Sequence, residues 1–206
     1  MAPTNPFAES TVYDVLATIA SRHPARESIV FGDERISFAA LLTRVDALAA
    51  GLSALGLGKG DTLAIWLPNR PVWYVAQYAA AKLGIVVVAL NPRYRAHELA
   101  YILGQSDTKA LLLTDHLGAI DYFETLHDVV PELPAAAPGE LASATLPALR
   151  WIIVDAEDPY PGCVRVQDVV DAGADSGPGT RARLGNPRVD PARRPDGSRV
   201  ASEPVG

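Results

Sequence analysis

The chain has 206 residues, 49% hydrophobic and 20% charged, the proportions of a soluble globular domain with material for one good core. A net charge of −6 with no basic stripe in the body of the chain argues against a nucleic-acid partner, because phosphate contacts need clustered Lys and Arg. The single cysteine, Cys163, excludes an internal disulfide and a multi-cysteine metal site and points to a reducing compartment.

Residues 1–10 read as an N-terminal arm without the basic start and long apolar run of a signal peptide. Thr11-Val12-Tyr13-Asp14 fits a capping box, opening a helix that ends near His23 and places Val12, Val15, Leu16 and Ile19 on one face. Residues 27–31 and 35–37 form two short strands around Gly32-Asp33. From a Ser37 N-cap, Phe38, Leu41, Leu42, Val45, Leu48, Ala49, Leu52 and Leu55 recur at helical spacing until Gly56. Residues 62–67 are a continuous apolar run between Gly60-Asp61 and Pro68-Asn69, the pattern of a strand covered on both faces.

Asn69 is expected to cap the next helix, with Pro71 in its first turn, Val72, Val75, Ala76, Ala79 and Leu83 inward, and Gly84 at its end. Residues 85–90 repeat the apolar strand and, as the longest apolar stretch, fall far short of the roughly 20 residues that span a bilayer. Residues 96–105 predict a helix, 109–114 a strand, 116–130 a third crossover helix and 151–154 a strand; 131–147, with four prolines, predicts a surface loop. Apolar strands alternating with helices imply an α/β layered domain over residues 11–175, a mostly parallel sheet with helices on both faces. Residues 176–206 hold six arginines against three acids, no aromatic residue and much Gly and Pro, which predicts a disordered tail. Such pattern-free sequence also fits a G+C-rich gene read out of frame from near residue 185.

The run Gly56-Leu57-Gly58-Lys59-Gly60-Asp61-Thr62-Leu63-Ala64-Ile65-Trp66-Leu67-Pro68-Asn69, followed by Ala79-Ala80-Ala81-Lys82-Leu83-Gly84, Asn91-Pro92-Arg93-Tyr94 and Glu98-Leu99, resembles the opening of AMP-forming acyl-CoA synthetases. This is the adenylate-forming AMP-dependent synthetase/ligase family, which includes the fatty-acid–CoA ligases. The likeness runs over roughly residues 11–155. It implies the N-terminal subdomain of the adenylate-forming fold. For a complete family enzyme it implies ATP-dependent activation of a carboxylic or fatty acid through an acyl-adenylate, then thioester formation with CoA, with ATP, Mg and CoA as participants.

The family's Ser/Thr/Gly-rich loop ending in lysine, its later acidic and aromatic residues for ribose and adenine, and its C-terminal-domain lysine have no counterpart here. The expectation is a chain truncated before the phosphate loop, inactive alone, with no catalytic residue, no metal and no cofactor held by this chain. A non-catalytic interaction module, the N-terminal half of a split ligase and a small-ligand domain using the sheet's carboxyl edge stay open as alternatives. Apolar surface meant for a second subdomain is expected to be exposed and to drive self-association or binding of a partner protein. The expected location is cytoplasmic, without a membrane span.

Individual motifs add little chemistry. The Gly56-to-Asp61 segment ends a helix and opens a strand, the reverse of a phosphate loop, so it reads as a helix C-cap and turn. His97-Glu98 begins like H-E-x-x-H, but Tyr101 stands where the second His belongs, and His23, His116 and His127 do not converge. Gly51-Leu52-Ser53-Ala54-Leu55 misses the last glycine of a nucleophile elbow and lies inside a helical pattern. Asn91-Pro92-Arg93-Tyr94 is the best remaining ligand candidate, because it leaves the carboxyl end of a parallel strand. Its competing role is structural, an extended exit imposed by Asn-Pro with Arg93 and Tyr94 capping the next helix.

Overall fold

The computed structural model describes residues 10–175, so the tail at 176–206 and all of the arm except Ser10 lie outside the described residues. Helix α1 (Val12–Arg22) opens as expected: Asp14 N–H donates to Thr11 Oγ1 at 3.2 Å while Thr11 N–H donates to Asp14 Oδ2 at 2.9 Å. Leu16 and Ala20 carry its buried face; Val12, expected on that face, is 54% exposed. A hairpin of β1 (Glu27–Phe31) and β2 (Glu34–Ser37) turns at Gly32, whose φ of +55° suits a residue without Cβ. Ser37 Oγ then caps α2 (Phe38–Ala54), accepting from Ala40 N–H at 3.2 Å. Leu41, Val45, Leu48, Ala49 and Leu52 are buried along it.

The remaining elements are β3 (Thr62–Trp66), α3 (Pro71–Leu83), β4 (Val86–Ala89), α4 (Ala96–Gln105), β5 (Ala110–Thr114), β6 (His116–Leu117), β7 (Ile120–Asp121), α5 (Tyr122–Val129), β8 (Trp151–Asp155), β9 (Val164–Arg165) and α6 (Val166–Asp175). Five strands form one parallel sheet in the order β4-β3-β5-β8-β9. Side chains alternate across it. Leu63, Ile65, Leu112 and Ile153 meet α1, α2, α3 and α6, whereas Trp66, Leu111, Leu113, Ile152 and Val154 meet α4, α5 and the segment leading to β8. The chain passes from β3 to β4 on one side and returns to β5 on the other, so the topological switch point lies between β3 and β5.

Four expectations change. Asn69 does not cap α3; Arg70 occupies the N-cap position and makes no side-chain capping bond. The expected helix at 116–130 begins only at Tyr122, because Gly118 at φ +60° turns β6 back onto β7, and Asp121 Oδ1 then accepts from Phe123 N–H at 2.8 Å to start α5. The proline-rich segment is no loose surface loop: Leu133, Leu141, Leu146 and Leu149 are buried and close the α4–α5 side of the core. Strand β4, expected to be covered like β3, is an edge strand with Val86 45% exposed.

Strand β9 and α6 had no apolar run long enough to announce them. Helix α6 is held by shape. A Cβ added to Gly51 of α2 would run into the Val169 carbonyl, and one added to Gly173 of α6 would meet the Gly51 backbone nitrogen. Gly51→Leu should therefore push α6 off α2 at a cost of about 3 kcal/mol or more. Leu48→Asp, at a site 2% exposed, should cost more than about 4 kcal/mol. Urea unfolding checks both; either variant retaining near-parental stability would contradict this packing.

Candidate functional site

Open α/β sheets bind ligands beyond the carboxyl ends of their strands, where the side chains after β3, β4, β5 and β8 gather. Pro71 can start α3 because the first helical N–H needs no partner, and this leaves Arg70 free to extend over the sheet end. Its guanidinium Nη1 pairs with Asp155 Oδ2 at the end of β8, 3.1 Å away, passing over β5, which lies between β3 and β8. The two side chains are 37% and 30% exposed, so water screens the pair and its net worth is about 1 kcal/mol at most.

At the end of β5, the buried Thr114 hydroxyl lies 3.1 Å from Asp115 Oδ1 and 3.3 Å from the Asp155 carbonyl, while Tyr160 OH donates to Asp115 Oδ2 at 3.3 Å. Desolvation pushes the Asp115 pKa up. The His116 N–H, the Thr114 hydroxyl and its own amide outweigh that and hold it below the ordinary value. Tyr160 stacks on Phe123 with centroids 4.1 Å apart and planes 9° from parallel. Burial, followed by the nearby Asp115 carboxylate, raises the Tyr160 pKa.

The Asn91-to-Tyr94 segment is brought to this edge, but as an anchored turn. Trp66 Nε1–H donates to the Asn91 carbonyl at 3.1 Å and Tyr122 OH to the Pro92 carbonyl at 3.0 Å, with both aromatic residues buried and their centroids 4.4 Å apart. Asn91 Oδ1 accepts from Arg93 N–H at 2.9 Å. Arg93 and Tyr94 do not cap α4; Arg95 is its N-cap residue and Glu98 closes back onto the Arg95 N–H. Side-chain donors from β3 and α5 thus take up the carbonyls of Asn91 and Pro92.

The glycine-rich turn is likewise closed on itself. Asp61 Oδ2 accepts from Gly58 N–H at 2.8 Å and from Lys109 Nζ at 3.0 Å, and the same Nζ donates to the Gly56 carbonyl at 2.9 Å. Lys82 Nζ reaches Asp46 Oδ1 at 2.8 Å and Tyr13 OH at 3.0 Å and lies 4.6 Å from the Tyr13 ring centroid. Desolvation depresses the Lys82 pKa, but the bonds to Asp46 and Tyr13 leave it raised overall. Lys59 is exposed in the turn.

His97 and Tyr101 are both exposed on α4. His23 terminates α1, and His127 on α5 faces the Phe123 ring at 5.9 Å. Among the described residues no group of three or more His, Cys, Asp or Glu is arranged to hold a metal ion, and no helix is long and apolar enough to cross a membrane. Arg70, Thr114, Asp115, Asp155 and Tyr160 were not singled out from sequence. Their only signal is that each of the first four follows or ends an apolar run, and this does not say which run ends converge.

A family profile described as AMP-binding enzyme matches residues 16–175. The chain belongs to the AMP-binding enzyme family. It is similar to "Medium-chain acyl-CoA ligase ACSF2, mitochondrial" of Homo sapiens, at 42% identity over 167 residues, covering 80% of this chain and 27% of that protein. Among solved structures, Mycobacterium smegmatis MbtA in its apo form aligns with a TM-score of 0.65 at 24% identity, covering 89% of this chain and 29% of that one. Coronafacic Acid Ligase from Pectobacterium brasiliense aligns with a TM-score of 0.62 at 20% identity, covering 78% and 29%. At these identities the solved structures establish the fold alone, that of the N-terminal part of adenylate-forming enzymes. The chain spans about 27% of the length of its human relative.

Two measurements check the local chemistry. Desolvation in its half-buried position pushes the Cys163 thiol up to about 12, which disfavours the thiolate at pH 8. Iodoacetamide should label native Cys163 far more slowly than the urea-unfolded chain; equal rates would contradict its burial. Because folding lowers the Asp115 pKa, its contribution to stability is complete above about pH 4 and is lost as pH falls through the lower folded value. Asp115→Asn should flatten the pH dependence of urea midpoints in that acid window, and an unchanged slope would contradict it.

Proposed function

We propose that these residues form the scaffold portion of an acyl-CoA ligase that activates an aliphatic carboxylic acid as its adenylate and passes the acyl group to CoA. The observation that carries this reading is 42% identity, over 167 residues, to a relative whose name specifies medium-chain acyl-CoA ligation. The 206 residues by themselves do not perform the chemistry. Joining a carboxylate oxygen to an α-phosphate while pyrophosphate leaves requires backbone donors, a lysine and a held divalent cation at the phosphates.

The residues present do not fit that demand. Lys82 and Lys109 are each committed to a carboxylate at 3.0 Å or less, and Lys59 sits in a helix-to-strand turn. Among the described residues no group of three or more His, Cys, Asp or Glu is arranged to hold Mg, and two of the three lysines are already paired. The carboxyl-edge groups act on structure instead: Trp66 and Tyr122 fix the exit of β4, and Arg70 and Asp155 tie β3 to β8.

ATP–pyrophosphate exchange by the purified chain, supplied with medium-chain acids, tests this reading. No exchange above a protein-free control is expected. Acid-dependent exchange that Lys82→Ala or Lys59→Ala abolishes would overturn the scaffold assignment. Exchange that appears only on adding a fragment with a Ser/Thr/Gly-rich phosphate loop would instead make the chain one half of a split ligase.

A further inference from the structure

Among the described residues, strand β4 has a bonding partner on one side only. Val86 N–H donates to the Asp61 carbonyl at 2.8 Å and Leu90 N–H to the Ile65 carbonyl at 2.9 Å. In a parallel ladder alternate residues bond to the same neighbour, so the amides and carbonyls of Val87 and Ala89 face the open edge. Residues 85–90 carry no charge, and proline first appears at Pro92, past the strand. The usual protections of an edge strand, a lysine, a proline or a bulge, are thus missing here. The opposite edge differs: β9 is two residues long and ends in Arg165, paired with Asp168 at 2.6 Å.

Val86 on β4 is exposed; of the other large exposed hydrophobic side chains among the described residues, Tyr74 and Tyr101 lie on α3 and α4, and Val12, Val30 and Phe31 lie on α1 and β1. Helices α3 and α4 cover opposite faces of the sheet.

We infer that the β4 edge pairs with the β4 edge of a second copy of this chain, antiparallel across a two-fold axis, joining two five-stranded sheets into one. The edge is self-complementary. With Val88 opposite Val88 of the second copy, Val87 faces Ala89 of the second copy and Ala89 faces Val87. The outward amides and carbonyls then close about four hydrogen bonds with no like charges opposed. The inference stands independently of the ligase reading, since it uses only the edge geometry.

Sedimentation velocity of the 206-residue chain over a wide concentration range, with two variants, tests it. Val87→Pro removes an outward N–H while leaving the β3–β4 ladder intact, and Val86→Lys puts a charge at the exposed margin. The parent should sediment as a dimer. Both variants should be monomers with unchanged circular dichroism and melting midpoint; if Val87→Pro fails to fold, Val86→Lys decides. A parent that stays monomeric at every concentration, or a dimer that persists in a folded variant, overturns the inference. So does a monomeric parent whose Val87 and Ala89 amides gain exchange protection only with a longer ligase fragment, which would assign the edge to a strand of that fragment.

Discussion

Strands β3 and β5 lie side by side with almost no water on either face, and this places hard limits on everything around them. Leu63 to Trp66 and Ala110 to Leu113 are all 2% exposed or less. Two apolar faces require two covering layers, so α1, α2, α3 and α6 gather on one side and α4, α5 and the proline-rich segment on the other. Each buried leucine or isoleucine contributes about 1.5–3 kcal/mol by leaving water, whereas an unpaired polar group in its place costs several. Polar chemistry is thereby displaced to the strand ends.

Side-chain bonds outside the apolar layers tie elements together. Lys109, just ahead of β5, fastens that strand to the glycine-rich turn before β3, and Lys82 fastens α3 to α2 and α1 through Asp46 and Tyr13. Because these pairs are partly open to solvent, their worth lies more in fixing which elements meet than in net stability. A family fold can be present in full local detail while its reactive groups reside elsewhere, because activity belongs to sites and not to architecture.

The continuous apolar runs at 62–67 and 109–114 and the i, i+3, i+4 leucine pattern of α2 made the central strands and the long helix readable from sequence. The Thr11–Asp14 capping box and the Ser37 cap were readable for the same reason, since short side chains bond nearby amides whatever the tertiary context. Hydropathy reports whether the faces of a strand are covered, not whether its edge has a neighbour, so β4 read like β3. His116 to Asp121 carries a helix-compatible pattern that Gly118 interrupts, and the Leu133 to Leu149 anchors are spaced by prolines with no regular period. Helix α6 depends on Gly51 and Gly173 meeting across more than a hundred residues, a coincidence no local pattern encodes. The carboxyl-edge cluster was hidden similarly: Arg70, Asp115 and Asp155 become neighbours only through strand order.

The central claim is that the paired strands β3 and β5 are the core on which the rest of this fold rests. Native-state amide hydrogen exchange on the 206-residue protein tests it most directly. The account predicts that the slowest amides lie in β3 and β5 and open only with global unfolding, well behind those of the β6–β7 hairpin. Exchange in β3 and β5 as fast as in that hairpin would contradict it.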